Sequence, residues 1–516
     1  MTSVWVLGNQ LSHEDNSALR TAPRDAPVVM IESLPQALSR PFSRMRIALI
    51  WSAMRHFAQE LRREGRAVEY HAVGREPSPG DEATFVDILR THIERRGTER
   101  LLVMAPADWT MHGYIAKARR HLGIAIEVTS DRHFVSGHGT PERAAEANPA
   151  MSPDALTREL RRRCRILVDA KGEPEGGQWF FEAKGKRPEE GKRPSIPRIE
   201  PDDITREVIA TVQARFPDRV GDLDQFGYPV CRHDALQWLE DFVEQRLPTW
   251  GDHHDTMEHG RSVLSQSMLS PALNLGLLGP LEVAARVERA YQAGGVPLPA
   301  AVGFIRDLLG WREFVHTVHW TRSPGHAESN FFDARRPLPE FLWTGETRCA
   351  CLADIIHRSL ATAHASRSER LMVLGNYLLM IGADPAAACE WFGSVFADAW
   401  EWCAVPNTIG VALWADGGVM ASKPYAASAN YISRLSDHCA HCGLDHTTRE
   451  GPDACPFNYL YWNFVVNSRP RLGHVPRMSK AFEHLDRLGA REITLCASQT
   501  ARHLEEIGVG GPPKAS

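Results

Sequence analysis

Residues Val4–Glu32 read VWVLGNQLSHEDNSALRTAPRDAPVVMIE. They hold two short β-rich runs, VWVLG (Val4–Gly8) and VVMIE (Val28–Glu32). The rhythm continues through VEYHAV (Val68–Val73), LLVM (Leu101–Met104) and IAIEV (Ile124–Val128). Helical stretches such as RIALIWSAMRHFAQELRREG and YIAKARRHLG lie between these runs. Strands alternating with helices predict a parallel α/β sheet. Ligands on such sheets sit at the carboxyl ends of the strands. Gly8, Asn9 and Gln10 after the first run and Glu32 after the second are therefore candidate ligand positions, against a plainer reading as turn residues.

The chain has 516 residues, 43% hydrophobic and 24% charged, enough for two or three ordinary cores. A net charge of −5 does not advertise nucleic-acid binding, although a local basic face could still provide it. No run of 18 apolar residues occurs, so no membrane span is expected. The start, MTSVWVLGNQLS, lacks the basic and long apolar regions of a signal peptide. Ten cysteines are far too few for a disulfide scaffold, and the expectation is a cytoplasmic, reducing location.

From about Asp131 to Gly227 the alternation breaks down. LTRELRRRCR (Leu156–Arg165) is basic and amphipathic, and Arg161–Arg163 read as a solvated helix face or else as contacts with phosphates or with a facing domain. GGQWFFEAKGKRPEEGKRPSIP reads as a connecting loop. After Tyr228 apolar residues recur at three- and four-residue spacing through DALQWLEDFVEQRL, AAVGFIRDLLGWREFVHTVHW and PAAACEWFGSVFADAWEW. The expected organisation is an α/β domain over 1–130, a connector over 131–227 and a large all-α domain over 228–516.

SDHCAHCGLDHTTREGPDACPFN (Ser436–Asn458) holds Cys439, Cys442 and Cys455 as C-x2-C-x12-C. Pro456 follows the last cysteine, as in ferredoxin-type cluster loops. Zinc is the generic alternative, completed by His438, His441 or His446. Cys349 and Cys351 open the helix CLADIIHRSL, and a helix start suits an anionic centre. These residues alone leave zinc and iron–sulfur both open, with three unrelated thiols as the plainer reading.

GFIRDLLGWREF, RLMVLGNYLL, FADAWEW, VPNTIG, ADGGVMASKPYAASANYISR and the cysteine loop together carry a specific resemblance. With GNQLS, IWSAMRHFAQELR and SDRHFVS it spans nearly the whole chain. The chain resembles the iron–sulfur bacterial cryptochromes and photolyases, which include prokaryotic (6-4) photolyases. The resemblance implies a Rossmann-like α/β domain followed by an all-α FAD-binding domain. It implies a [4Fe–4S] cluster on Cys351, Cys439, Cys442 and Cys455, with Cys351 preferred over Cys349 because it directly precedes the helix leucine. It implies folded FAD, its phosphates on Ser267, Leu269, Ser270 and Asn274 of SMLSPALNLG. Arg312, Asn376, Asn407, Asp416, Gly417, Gly418 and Lys423 stand at further cofactor positions. Arg370 and Asp398 match the ion pair beside the flavin ring, where the plainer reading is a structural salt bridge. Trp391 and Trp343 match the inner and outer tryptophans of an electron route, and Tyr425 and Tyr431 stand at catalytic-side positions. A 6,7-dimethyl-8-ribityllumazine antenna would sit on Gly8, Gln10, Leu11 and Glu32.

Several positions depart from the family pattern. Ser366 and Arg367 stand where repair-competent members carry a His-His pair, with His364 out of register. Ala404 stands where the family has a glutamate near the flavin, and Phe392 where a tyrosine follows the inner tryptophan. Phe180 and Glu182 replace an asparagine and an aspartate. The enzymatic expectation is a light-driven lyase of UV-damaged DNA, with (6-4) repair absent or slow because the proton donor is lost. The other is a cryptochrome-type photoreceptor or redox sensor with a signalling partner. A remoter reading is a cluster-bearing nucleic-acid module like primase large subunits. A monomer is expected in each case.

Overall fold

The computed structural model describes residues 1–146, 152–182 and 196–510. Five strands form one parallel sheet: β1 (Thr2–Val6), β2 (Val28–Ile31), β3 (Val68–His71), β4 (Arg100–Met104) and β5 (Ala125–Thr129). Their order is β3-β2-β1-β4-β5, and Val4 of β1 faces Val28 of β2 on one side and Leu102 of β4 on the other. Successive side chains point to opposite faces of a strand. Val4, Val6, Val28 and Met30 enter a core shared with helices of the C-terminal region. Trp5, Leu7, Val29 and Ile31 enter a smaller core with Phe85, Leu89 and Ile115. The strand order reverses between β1 and β4, which opens a crevice at their carboxyl ends.

The helix Arg44–Arg63 covers the first face. Ser43 caps its start by accepting from Arg46 N, and Arg62 and Arg63 in its last turn suit the negative end of the helix dipole. Gly8 packs closely under this helix, and a Cβ there would come 2.9 Å from Met54 Sδ, so that side chain would have to shift.

All strands end by Thr129, and the described residues after it are helices and loops. The stretch 131–227 is packed rather than a loose connection. Leu156 and Leu160 of the helix Pro153–Cys164 and Val208 and Val212 of the helix Asp203–Arg215 belong to the main core. Residues 183–195 of the Gly-, Pro- and charge-rich run lie outside the described residues. The basic stripe of Arg161–Arg163 corrects an expectation. Arg161 is fully buried and donates to the carbonyls of Ile166, Leu167 and Trp179. Arg162 donates to Gly172 O and lies 4.6 Å over the Trp179 ring, and Arg163 donates to Val135 O. Arg161 and Arg162 close the loop after their own helix and Arg163 reaches back to Val135, so Arg161 is withdrawn from the surface while Arg162 and Arg163 stay half exposed. No helix among the described residues is long and apolar enough to cross a membrane.

Candidate functional site

The helical region encloses a cavity of about 380 Å³. That volume falls in the range of cofactor and ligand sites. Ser267, Ser270, Asn274, Arg312, Arg370, Asp398 and Asn407 all line it, brought together from well-separated parts of the sequence. Arg370 Nη1 donates to Asp398 Oδ1 at 2.8 Å, and the Ser270 hydroxyl donates to Asp398 Oδ2 at 2.8 Å. Asn274 Nδ2 holds the Asp398 carbonyl at 3.0 Å. Burial opposes the charge on Asp398, but the Arg370 guanidinium outweighs it and holds the carboxyl below its ordinary range. The Arg370 guanidinium also lies 3.9 Å over the Phe396 ring.

Arg312 is stacked 4.0 Å over Phe134 and donates to His133 O, while its buried Nε has no partner among the described residues. Burial holds its pKa below the ordinary value. Glu313 Oε1 already accepts from its Nη1 at 3.1 Å and balances its charge, which leaves Nε as a hydrogen-bond donor at the cavity wall. Asn407 is already committed: its Oδ1 accepts from Trp311 Nε1 at 3.2 Å and its Nδ2 donates to Cys403 O at 2.8 Å. The helix bearing Ser270 is only six residues long, Ser270–Leu275, and begins after Met268, whose φ of 61° is left-handed.

Other expected cofactor positions lie outside the cavity lining. Leu269 is fully buried core. Asn376 ties down a distant strand of loop, exchanging two bonds with Ala427 at 2.8 and 3.0 Å. Asp416 accepts from the backbone of Gly418, Val419 and Met420 and pairs with His326 Nε2 at 3.2 Å, so it shapes its own turn. Gly417 and Gly418 supply the positive φ that this turn needs. Lys423, Tyr425 and Tyr431 are half-buried and also outside the lining.

Phe392 and Phe396 line the cavity and lie 5.1 and 5.8 Å from the ring of Trp391, which is fully buried. Trp343 lies 6.4 Å beyond Trp391 and is 38% exposed. The expected inner and outer tryptophans thus form a file of aromatic rings from cavity to solvent.

Cys351, Cys439, Cys442 and Cys455 border one small pocket, with Cys349, His438 and His446 also on its wall. Cys455 caps the helix Pro456–Leu472, and Cys351 sits in the first turn of the helix Ala350–Thr362. Burial pushes the Cys351 thiol well up and that of Cys455 to about 12. A bound cation is what would draw thiolates from such positions. Beside them His438 Nε2 meets Asp354 Oδ2 at 2.9 Å, but Arg358 already balances that carboxylate at 2.8 Å.

Three comparisons bear on this arrangement. The family described as deoxyribodipyrimidine photo-lyase-related protein matches residues 4–228. A (6-4) photolyase of Agrobacterium fabrum is 38% identical over 93% of this chain and 94% of its own length. The chain belongs to the photolyase/cryptochrome superfamily. Solved structures agree in fold. A class III photolyase from Agrobacterium tumefaciens superposes with TM-score 0.56 at 16% identity, over 100% of this chain and 93% of that one. A Synechocystis cryptochrome gives 0.55 at 15% identity, over 99% and 94%.

Within this photolyase/cryptochrome fold a second cavity of about 190 Å³ opens at the carboxyl ends of β1 and β2, against the helical region. Gly8 and Asn9 line it, with Trp5, Trp51, Tyr114 and Trp400. Three expected antenna positions do not. Gln10 Nε2 donates to Met104 O and Ala105 O, Leu11 N donates to Leu275 O, and both residues are buried. Glu32 accepts from Arg55, Tyr70 and Val73, a full set for one carboxylate. Its pairing with Arg55 fastens the sheet to the helix above it.

Ser366, Arg367, Phe392 and Ala404 all line the first cavity, with Arg367 at its exposed end. Ser366 is a helix cap: its hydroxyl accepts from Glu369 N, and its own N–H donates to Glu369 Oε2 at 2.6 Å. The S-x-x-E spacing signals this reciprocal cap. Arg367 is 54% exposed and stands 3.7 Å from Asp307, with its guanidinium 5.7 Å over Trp311. Trp250, His254, Asp255, Asp307 and Trp311 line the same end. Asp307 and Trp311 belong to GFIRDLLGWREF, whereas the sequence cue to His254 and Asp255 is the polar cluster DHHD at Asp252–Asp255.

Proposed function

We propose that this chain is a blue-light-absorbing FAD protein that transfers an electron to UV-damaged DNA in the manner of a (6-4) photolyase. The observation that carries this reading is the Arg370–Asp398 pair on a cavity wall backed by the file Phe396, Trp391 and Trp343. A reduced flavin held there supplies one electron to a damaged base on absorbing light. Arg370 balances negative charge beside the ring, and Arg312 offers its unused Nε to a phosphate. Phe392 and Phe396 keep water from the wall, and Trp391 and Trp343 return electrons from solvent. The division 1–130, 131–227 and 228–516 is the domain organisation we propose with it.

The test is direct. Purified protein is loaded with FAD, reduced, and illuminated with oligonucleotides carrying a (6-4) photoproduct or a cyclobutane dimer. Restored bases support the lyase reading. Bound, photoreducible flavin without restored bases supports the second reading, a cryptochrome-type photoreceptor or redox sensor. Ser366, Arg367 and Ala404 favour that second reading, because none offers the imidazole or carboxyl of the repair-competent pattern.

The cysteine pocket supports a [4Fe–4S] cluster on Cys351, Cys439, Cys442 and Cys455. These four cysteines around one small pocket are the donor set of such a cluster. Iron and sulfide at about four each per chain are expected, and one zinc with no sulfide would reject the cluster. The cavity at the strand ends is the place for a lumazine antenna, held by Gly8, Asn9 and aromatic walls rather than by Glu32.

A further inference from the structure

We infer that His254 is the proton donor for a damaged pyrimidine seated at the exposed end of the helical cavity. The inference rests on the reading of that cavity as a flavin and lesion site. It supplies the group that the missing His pair leaves wanting.

The geometry comes first. The His254 ring stacks on Trp250 with centroids 4.5 Å apart and planes at 19°, which fixes its orientation. Its Nε2 lies 3.3 Å from Asp255 Oδ2, and Asp255 is itself held by the Ser368 hydroxyl at 2.8 Å. The other ring nitrogen, Nδ1, is buried, has no partner among the described residues, and belongs to a side chain on the cavity wall. Stacking, a carboxylate partner and one unused nitrogen are the arrangement of an oriented imidazole general acid.

The alternatives in the same cavity are poorer. His364 also has an unpartnered nitrogen, but burial first and Arg370 second push its pKa down to about 3, so it is neutral near pH 7. Arg367 holds its proton too tightly, and the Ser366 hydroxyl is both a weak acid and committed to its cap. His254 differs in sign. Burial opposes its charging, but the hydrogen bond to Asp255 and the Asp255 and Asp307 carboxylates outweigh burial and the repulsion of Arg367. Its pKa lies above the ordinary histidine value. The charged groups facing it are therefore Asp255 on its own segment, Asp307 on the turn Arg306–Trp311, and Arg367 before the segment Glu369–Gly375. Tyr431 lies beyond Asp255.

The proton step balances without a consumed reagent. A reduced flavin bound in the cavity would supply one electron to the lesion on absorbing light and take it back after repair. The Nδ1–H bond of His254 breaks, and an O–H bond forms on the C5 hydroxyl oxygen of the 5′ base. The C5–O bond breaks as that oxygen bonds to C4 of the 3′ base, and the carbon–carbon bond joining the two bases then breaks. The hydroxyl's own proton passes to ring N3 of the 3′ base, and the donated proton returns to the imidazole.

The experiment uses flavin-loaded, reduced full-length protein and an oligonucleotide with one thymine (6-4) photoproduct. Wild type should repair it, with a rate that falls as pH rises through the raised histidine value. His254→Gln should lower the rate about 100-fold near pH 7, the contribution of a positioned acid, and flatten the profile. Its flavin content and photoreduction should stay within about twofold, because neither uses the Nδ1 proton. Lesion affinity should also weaken with rising pH in wild type and lose that dependence in His254→Gln. Asp255→Asn keeps the imidazole and should shift the falling limb to lower pH, so the idea survives a poorly folding His254 variant. Unchanged repair in His254→Gln overturns the inference. So does flavin-bound, photoreducing wild type that repairs no (6-4) lesion at any pH. Failure to bind or photoreduce flavin would overturn the cavity reading itself and the inference with it.

Discussion

On the buried wall of the helical cavity, Arg370 and Asp398 meet at 2.8 Å with side chains only 23% and 16% exposed. At its exposed rim, Arg367 and Asp307 stand 3.7 Å apart at 54% and 39%. Both pairs join a guanidinium to a carboxylate, yet they are held in place for different reasons. The wall pair cannot lose one member without stranding the other away from water. The rim pair can, because solvent takes over. A charged group at the rim can therefore be exchanged at little cost, which leaves room for a donor from a different segment to serve there.

The largest expected effect tests that contrast. Asp398→Ala leaves Arg370 unpaired and frees Ser270 and the Phe396 face. It should cost about 3 kcal/mol and deplete FAD from the purified protein. Arg367→Ala should stay within about 0.5 kcal/mol with flavin retained. Thermal melts and the flavin-to-protein absorbance ratio measure both, and equal losses would break the comparison.

A smaller effect is expected one layer behind the wall. Trp391 is fully buried between Phe392, Phe396 and Trp343. Trp391→Phe keeps the packing volume nearly constant but removes the oxidisable ring. Flavin photoreduction should slow at least ~10-fold, since the remaining path must cross a phenyl group. Trp238→Phe, a buried tryptophan away from both cavities, should leave the rate unchanged. Equal rates in the two variants would show that electrons take another path.

The two regions also differ in how far they could be read from sequence. The five strands were legible because alternation with helices gives a short-range pattern, and each observed strand falls within two residues of its expected run. Ser270, Arg370 and Asp398 were legible because each lies in a long specific motif. Asp416 and Asn376 lie in equally good motifs, but Asp416 spends its carboxylate on its own turn and Asn376 its amide on the distant Ala427, which no linear pattern distinguishes from ligand contact. Glu32, expected at the antenna site, has commitments of the same kind. A carboxylate at a strand end looks ligand-facing until Arg55, Tyr70 and Val73 are known to converge on it. The rim was the least legible part, since His254 and Ser366 meet only through the fold.

Restoring the family residues at the rim sharpens the contrast further. Arg367→His with Ser366→His should raise (6-4) repair only a few-fold, because His254 already offers a proton. The Ser366 change also removes the reciprocal cap with Glu369, at about 1 kcal/mol. Arg367→His alone should therefore be the better folded variant. A gain of more than ~100-fold from the double variant would mean that wild type lacks a working donor. Repair assays beside thermal melts separate the two contributions.

The smallest effect is the pH dependence that the His254–Asp255 pair gives to stability. Asp255 has its pKa depressed to about 2: burial would raise it, but the hydrogen bond from His254 and the charges of His254 and Arg367 prevail. A depressed acid contributes stability above its unfolded value, and that contribution is lost as pH falls toward 2. His254 is shifted the other way, above its ordinary value. A raised base contributes stability below its unfolded value, and that contribution is lost as pH rises through the folded one. The pair is therefore worth most between roughly pH 4 and 6.5, where both members are charged. Asp255 is 38% exposed, so screening keeps the amount below about 1 kcal/mol. Asp255→Asn should lower the melting temperature by about 1 °C at pH 5.5 and by less at pH 8.5. The reverse order would mean that His254 is neutral at pH 5.5, and would remove the electrostatic basis for its role as an acid.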